Sequence, residues 1–279
     1  MPPVLIWILV AGAGACVGSF LNVCIHRLPL QRSIVHPRSS CPACGWQLAW
    51  YDNVPVVSWL ALRGRCRQCA SPISARYPLV EAATAALFLL LFLSRGATLS
   101  FFLHAYLAAS LVALILIDRS HQLLPDAITL PGIAVGLLSS PFHGAAQRFL
   151  PAASLATTAD ALIAAALGFS ILWAINAGYR GWQAVRGVPG PEREDGIGRG
   201  DFKLMAMIGA FLGIRLLLFS LFFGAISGAL FGVYMLRFGG LGWKSRLPYG
   251  VFLGGAALLA LFVGEPWVDW YLSSLGLAP

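Results

Sequence analysis

The chain is poor in charge. Its 279 residues include eleven Asp and Glu against nineteen Lys and Arg, and charged residues make up 11% of the whole, where soluble domains carry about a quarter. Histidine is scarce as well: the five lie dispersed at positions 26, 36, 104, 121 and 143. No H-E-x-x-H pair stands ready for a catalytic zinc, and no G-x-S-x-G elbow for a serine nucleophile. The glycines of "GIGRG" imitate a phosphate loop only superficially, because G-K-[ST] and a preceding strand pattern are missing. What the sequence has in excess is apolar surface. Hydrophobic residues make up 58% of it, which places the chain in a membrane rather than in water.

About eight apolar segments run along the chain, with approximate limits 4–25, 79–94, 100–117, 127–142, 159–178, 203–213, 217–236 and 248–264. Most approach the roughly 17 to 25 residues a bilayer-crossing helix needs, and the fourth and sixth are short. The first lacks the basic leading stretch of a signal peptide and runs on into "GSFLNVCIHRLP", so it reads as a retained helix. Assigning loops alternately to the two sides leaves Arg95, Arg148 and Arg215 on one side and the other sixteen Lys and Arg on the opposite one. That asymmetry marks the basic side as cytoplasmic and puts both termini outside. Topology thus accounts for the net charge of +8 without any nucleic acid. The expected division is a first transmembrane helix over 1–25, a cytoplasmic loop over 26–77 and a helical bundle over 78–279.

Within that loop, Cys41, Cys44, Cys66 and Cys69 form two C-x-x-C pairs separated by 21 residues, close to the spacing of a four-cysteine zinc ribbon. A reducing cytoplasm disfavours the alternative of two disulfides. Neither pair has the strand-to-helix context of a redox motif. Four thiolates would fill every coordination position, so such a zinc is expected to be structural and to hold the loop folded. Gly45 and the small Ala70 are read as standing behind turns where space is short. Cys16 and Cys24 fall in the first apolar segment and read as small core residues.

The acids separate into two groups. Asp52, Asp160, Glu192, Glu194, Asp195, Glu265 and Asp269 stand in loops or at external ends, where solvation is a sufficient role. Glu81, Asp118, Asp126 and Asp201 lie in or at the edge of apolar segments, where an ionisable group is costly. Asp126 follows Pro125 at a helix start and reads as an N-cap, and Glu81 reads as a favourable charge in a first helical turn. Asp201 could also cap a helix, although "GIGRG" before it lets the backbone approach another segment closely. Asp118 ends an unbroken apolar run, where the helix dipole disfavours a negative charge. The alternation of sides brings Asp118 and Asp201 to one cytoplasmic border. Two carboxylates sharing a site suit an aspartyl protease, in which one activates water while its protonated partner polarises the peptide carbonyl. His121 could tune such a pair, or serve only as a polar residue at the headgroups. A transporter would instead predict acids near the midplane and an inverted repeat, and neither is visible. A zinc-stabilised scaffold would leave both aspartates without a purpose.

Several stretches together, "GSFLNVCIHRLP" at 18–29, the paired C-x-x-C motifs, "YPLVE" at 77–81, "IDRSHQLLPD" at 117–126, "GRGDFKLM" at 198–205 and "LPYGVFLGGA" at 247–256, give the chain a resemblance to the type IV prepilin peptidases, or prepilin leader peptidase/N-methyltransferases. It covers nearly the whole chain. The resemblance implies an all-α polytopic protein of the bacterial cytoplasmic (inner) membrane with a small zinc-ribbon-like cytoplasmic loop. It implies that Asp118 and Asp201 are catalytic and that the substrates are type IV prepilins or type II secretion pseudopilins. Their basic leaders would be cut after glycine, and the new N-terminus methylated from S-adenosylmethionine. No Rossmann G-x-G-x-x-G unit announces a donor site; the N-terminal region and the zinc loop are the expected contributors. The stretch 179–197, with "VPGPERED", departs from the family pattern. It reads as a solvated, disordered loop, or as an acidic recruiter of leaders through Glu192, Glu194 and Asp195.

Overall fold

The computed structural model describes residues 3–142, 154–239 and 247–276. Arg148, Lys244 and Arg246 of the charge pattern, His143 and both chain ends lie outside the described residues. Nine α-helices carry the described chain: α1 (Pro3–Arg27), α2 (Val57–Ala61), α3 (Arg76–Arg95), α4 (Leu99–His121), α5 (Asp126–Ser139), α6 (Ser154–Val185), α7 (Arg199–Phe238), α8 (Tyr249–Leu259) and α9 (Glu265–Ser274). Six described helical stretches are long and apolar enough to cross a membrane: Pro3–Leu30, Arg76–Arg95, Leu99–His121, Thr157–Val185, Arg199–Phe238 and Tyr249–Ser274. Asp126–Ser139 is apolar but shorter. The sixth and seventh apolar segments are two halves of α7, which turns at Gly213 (φ 71°, ψ −179°). Only glycine adopts such a backbone at little cost. The eighth segment runs past its expected end, through a π-helical turn at Ala260–Gly264 and into α9.

The chain divides into two compact units, Met1–Ala113 and Leu114–Pro279. In the first, α1 lies along α3. Small residues make that approach possible, because lipid supplies no hydrophobic drive between helices and packing must come from close backbones. A Cβ at Gly14 would stand 2.8 Å from Ala85 Cα, and one at Gly18 would stand 2.7 Å from Glu81 Cα. One turn beyond Gly18, the Asn22 side-chain amide donates to the Tyr77 carbonyl at 3.1 Å. Between α1 and α3 the chain forms the cysteine loop, which holds α2.

In the second unit the first half of α7 is the core. Leu204, Met205, Met207, Ile208, Phe211 and Leu212 are fully buried, which covers every face of a helix; α5 and α6 pack closely on it, at Gly132 and Gly136 and at Ala164 and Gly168, while α8 meets the second half at Gly224 and Gly228. From Arg199 to Leu212 it spans roughly 20 Å at about 1.5 Å per residue, too little to cross a bilayer alone. Protein neighbours, rather than lipid, satisfy it. By contrast Leu218, Phe222, Leu230 and Val233 in its second half are exposed, as a lipid-facing surface requires.

At the far end of α7's first half, Arg215 pairs with Glu265 at 3.2 Å and also with Asp269. These two acids are therefore held in an ion-pair cluster rather than simply solvated. The stretch 179–197 is likewise ordered, contrary to its polar composition. α6 continues to Val185, and the Asn176 side chain accepts from Gly196 N–H (2.8 Å) while donating to Asp195 (3.0 Å). Gln183 exchanges two bonds with the Glu194 backbone. Asn176 and Arg180 hold the Asp195 carboxyl below its ordinary range. The loop is tied down by the helix that precedes it, which local composition does not reveal.

The α1–α3 approach carries a testable consequence. Gly18→Val should force the two helices apart and destabilise the protein by about 1–3 kcal/mol, read as a lowered thermal unfolding midpoint in detergent; an unchanged midpoint would contradict the close packing.

Candidate active site

Asp118 lies in the last turn of α4, and its carboxylate is buried at 5% exposure. A charge there opposes the dipole of its own helix, but the start of another helix compensates. Val251 N–H donates to Asp118 Oδ2 at 3.1 Å, and Gly250 N–H also points at the carboxylate. Both belong to the first turn of α8, where backbone donors have no i−4 partner and the dipole favours an anion; Val251 N–H is shared with the Pro248 carbonyl at 3.2 Å. Gly250 permits this contact, since a Cβ there would stand 3.0 Å from Asp118 Oδ2.

Asp201 occupies the first turn of α7, with Gly198 as N-cap, and is 7% exposed. Gly198 N–H reaches its carboxylate. The two aspartates lie in each other's electrostatic field, and the Tyr249 phenol lies in that of Asp201. Leu124 fills the space beside them. Its side chain would meet a Cβ at Gly200 (2.8 Å) or at Gly250 (3.1 Å), so two glycines let one leucine wedge between the first turns of α7 and α8. The structure therefore brings Asp118 and Asp201 together with the α8 N-terminus. Leu124, Tyr249, Gly250 and Val251 had no role assigned from the sequence. The available signal was the glycine in "LPYG", in the first turn of an apolar helix.

The other candidate acids have different tasks. Asp126 is the first residue of α5, not its N-cap: Pro125 holds that place and no side-chain cap forms. Asp126 instead pairs with Lys203 at 2.6 Å. Glu81 is 8% exposed and its Oε2 accepts Val56 N–H at 2.7 Å, which ties the cysteine loop to α3. Asp52, expected to be solvated, is buried and takes two bonds from Arg67 at 2.9 and 2.7 Å. Asp160 is also buried, at 3% exposure. His121 is exposed at the end of α4.

Cys41, Cys44, Cys66 and Cys69 converge, with all four Sγ atoms within 4.8 Å of one another. Cys41 Sγ and Cys69 Sγ are 3.8 Å apart. A tetrahedron with metal–sulfur bonds of about 2.3 Å has edges of about 3.8 Å, so the thiols have the spacing of a metal site and not of disulfides. Each pair sits on a turn of the same design. Gly45 N–H donates to the Cys41 carbonyl and Ala70 N–H to the Cys66 carbonyl, both at 2.9 Å. Antiparallel bridges Ser40–Gln47 and Arg65–Pro72 close the turns. The reason for small residues behind them is conformation, not crowding: Gly45 (φ 72°) and Ala70 (φ 56°) are left-handed, and a Cβ at Gly45 would meet nothing within 4 Å. Backbone N–H groups of Cys44 and Ala43 aimed at Cys41 bring its thiol down to about 7, while burial and the neighbouring thiols push Cys69 up to about 12, as expected where four thiols crowd together without a cation between them.

Fold and site define a polytopic helical membrane protein with a buried aspartate pair at helix ends and a four-cysteine cluster in a loop. Comparison with known proteins is specific. Residues 13–95 match the bacterial peptidase A24 N-terminal domain and residues 105–233 match the type IV leader peptidase family. A prepilin leader peptidase/N-methyltransferase of Pseudomonas putida is 36% identical over 99% of this chain and 96% of its own length. A protein of the same description from Pseudomonas aeruginosa is 35% identical over 94% and 92%. One from Myxococcus xanthus is 45% identical over 80% of this chain, and that alignment spans 61% of the relative's length. The chain belongs to the type IV leader peptidase family. No solved structure matches it.

The cysteine turns give two measurable outcomes. Removal of bound metal by a chelator should expose residues 41–72 to protease and change the emission of Trp46, Trp50 and Trp59. Gly45→Ala should weaken metal retention by about 1–2 kcal/mol, the cost of a left-handed Cβ. A loop that stays protected without metal would contradict a structural role.

Proposed function

We infer that this protein is an inner-membrane aspartyl endopeptidase that removes the leaders of type IV prepilins and methylates the new N-terminus, with type II secretion pseudopilins as further substrates. The observation that carries the peptidase reading is the meeting of Asp118, Asp201 and the first turn of α8. Two carboxylates from different helices face one place, and first-turn backbone donors of α8 orient one of them.

In the proposed mechanism the dyad shares a proton and titrates as a unit. The ionised carboxylate takes a proton from a water molecule held between the pair, and the protonated partner donates to the scissile carbonyl. Water oxygen then bonds to the carbonyl carbon. As the tetrahedral intermediate collapses, the carbon–nitrogen bond breaks and the amine leaves with the proton relayed through the dyad. A leader in the cytoplasm, followed by an apolar helix in the bilayer, would put the scissile bond at the membrane border. Both aspartates are proposed to lie at that border, with both chain ends on the periplasmic side. The Leu124 wedge keeps one wall of the site apolar, which strengthens the electrostatics there.

Cys41, Cys44, Cys66 and Cys69 are proposed to hold one structural zinc. Their number and spacing fit it, and with every position filled the ion cross-links the loop and takes no part in hydrolysis. S-Adenosylmethionine, when bound, supplies an electrophilic methyl group to the freed amine. Among the described residues no named strand is present, so they offer no Rossmann crevice for the donor.

Membranes carrying the wild-type protein should convert a prepilin to its cleaved form, followed at the N-terminus by mass spectrometry. Asp118→Asn and Asp201→Asn should each reduce turnover by at least about a thousandfold. Asp126→Asn should retain turnover, because it loses only a partly exposed ion pair worth about 0.2–1 kcal/mol. Full cleavage by either of the first two variants would overturn the dyad.

A further inference from the structure

The Met1–Ala113 unit contains a cavity of about 730 Å³ lined by neither Asp118 nor Asp201. Its size lies within the range of small-molecule sites, about 300–1,000 Å³. It opens along the seam of α1 and α3 and under the cysteine loop, with Asn22, Glu81, Trp46, Trp59, Arg32 and His36 among its lining.

Two of these groups are out of balance. Asn22 is 3% exposed; its amide nitrogen is used by Tyr77, but Asn22 Oδ1 is buried with no hydrogen-bond partner. An unsatisfied buried acceptor costs about 1–3 kcal/mol. The Glu81 carboxylate, one turn after Tyr77, accepts a single backbone bond from Val56 and makes no ion pair among the described residues. A buried carboxylate without a cation is costlier still. Both groups are acceptors, both line the same cavity, and the tie between Asn22 and Tyr77 places them about one helical turn apart. What they lack is a ligand with positive charge and donor hydrogens. Elsewhere in the lining the chemistry changes sign. Trp46 and Trp59 offer aromatic surface, and the exposed Arg32 guanidinium makes no side-chain hydrogen bond among the described residues.

S-Adenosylmethionine carries that set of groups: an ammonium and a sulfonium, a carboxylate for an arginine, and a flat adenine for aromatic rings. We propose that this cavity is the methyl-donor site, with Glu81 and the Asn22 carbonyl oxygen receiving the cationic half of the donor. The assignment rests on the methyltransferase reading above and locates its cofactor. Glu81 would then have two tasks, holding the Val56 backbone with one oxygen and the donor with the rest of its charge. Orientation of the cysteine loop through Val56 would be coupled to donor binding.

The test uses the purified full-length, zinc-loaded protein and two probes. Sinefungin carries the adenosine and amino-acid parts, with an amine in place of the sulfonium, and 5′-methylthioadenosine keeps the adenosine but no positive charge. Glu81→Gln retains an oxygen for Val56 N–H, and Asn22→Ala removes the orphan acceptor. Each should weaken sinefungin roughly tenfold or more while changing 5′-methylthioadenosine by less than about twofold, measured by calorimetry or tryptophan quenching. Equal losses for both probes would show collapse of the loop and overturn the assignment. Unchanged sinefungin affinity with a raised KM for the pilin would overturn it too, placing the pilin's own amine against Glu81. A wild type that methylates prepilin while both variants bind sinefungin normally removes the site but leaves the function. A wild type that neither binds sinefungin nor methylates removes the function itself.

Discussion

A carboxylate at the C-terminal end of one helix is held by the backbone N–H groups that open another. Asp118 would be disfavoured by the dipole of α4 if it stood alone; the first turn of α8 supplies two donors and a dipole of the opposite sense. Much of the Leu114–Pro279 unit follows from keeping that contact. Gly250 must lack a side chain, Leu124 must close the space below, and the buried first half of α7 must bring Asp201 to the same place. The turn at Gly213 and the Arg215 cluster with Glu265 and Asp269 fix the other end of that half-helix.

The Met1–Ala113 unit has its own constraint, the close seam between α1 and α3. Gly14 and Gly18 bring the backbones together, and two polar residues, Glu81 opposite Gly18 and Asn22 one turn beyond it, are buried by that approach. Burial gives them value: an acceptor that would be commonplace in water becomes selective for a cation when dry. The cysteine loop is fastened to this seam by Val56 and Glu81 and internally by the Arg67–Asp52 pair. A metal at the four thiols would therefore stabilise the wall of a binding cavity as well as the loop.

Much of this was legible in the sequence. Long apolar runs and the paired C-x-x-C spacing each encode a local requirement: the runs appear as helices, with the sixth and seventh joined across Gly213, and the four thiols converge. The two acids at the margins of apolar segments are found in the last turn of α4 and the first turn of α7. What the sequence concealed depends on partners distant along the chain. Asp126 looked like a cap, yet its neighbour is Lys203. Asp52 looked solvated, yet Arg67 buries it. The stretch 179–197 looked disordered because its composition is polar, whereas Asn176 and Gln183 on the preceding helix satisfy its backbone. Gly45 suggested a lack of space, although the backbone angle is the real demand. The α8 first turn was invisible as a site because backbone N–H groups carry no residue identity, and only Gly250 hinted at them.

If Asp118 and Asp201 act as one unit, removing the second after the first should cost almost nothing. The most direct measurement is the residual prepilin cleavage rate of the Asp118→Asn/Asp201→Asn double variant beside each single one, with folding verified by thermal unfolding. The dyad predicts that the double variant is no slower than either single within a few-fold, as for catalytic residues that function only together. Losses that multiply, so that the double variant is slower by the product of the two single effects, would mean that the aspartates act independently and would contradict a shared catalytic dyad.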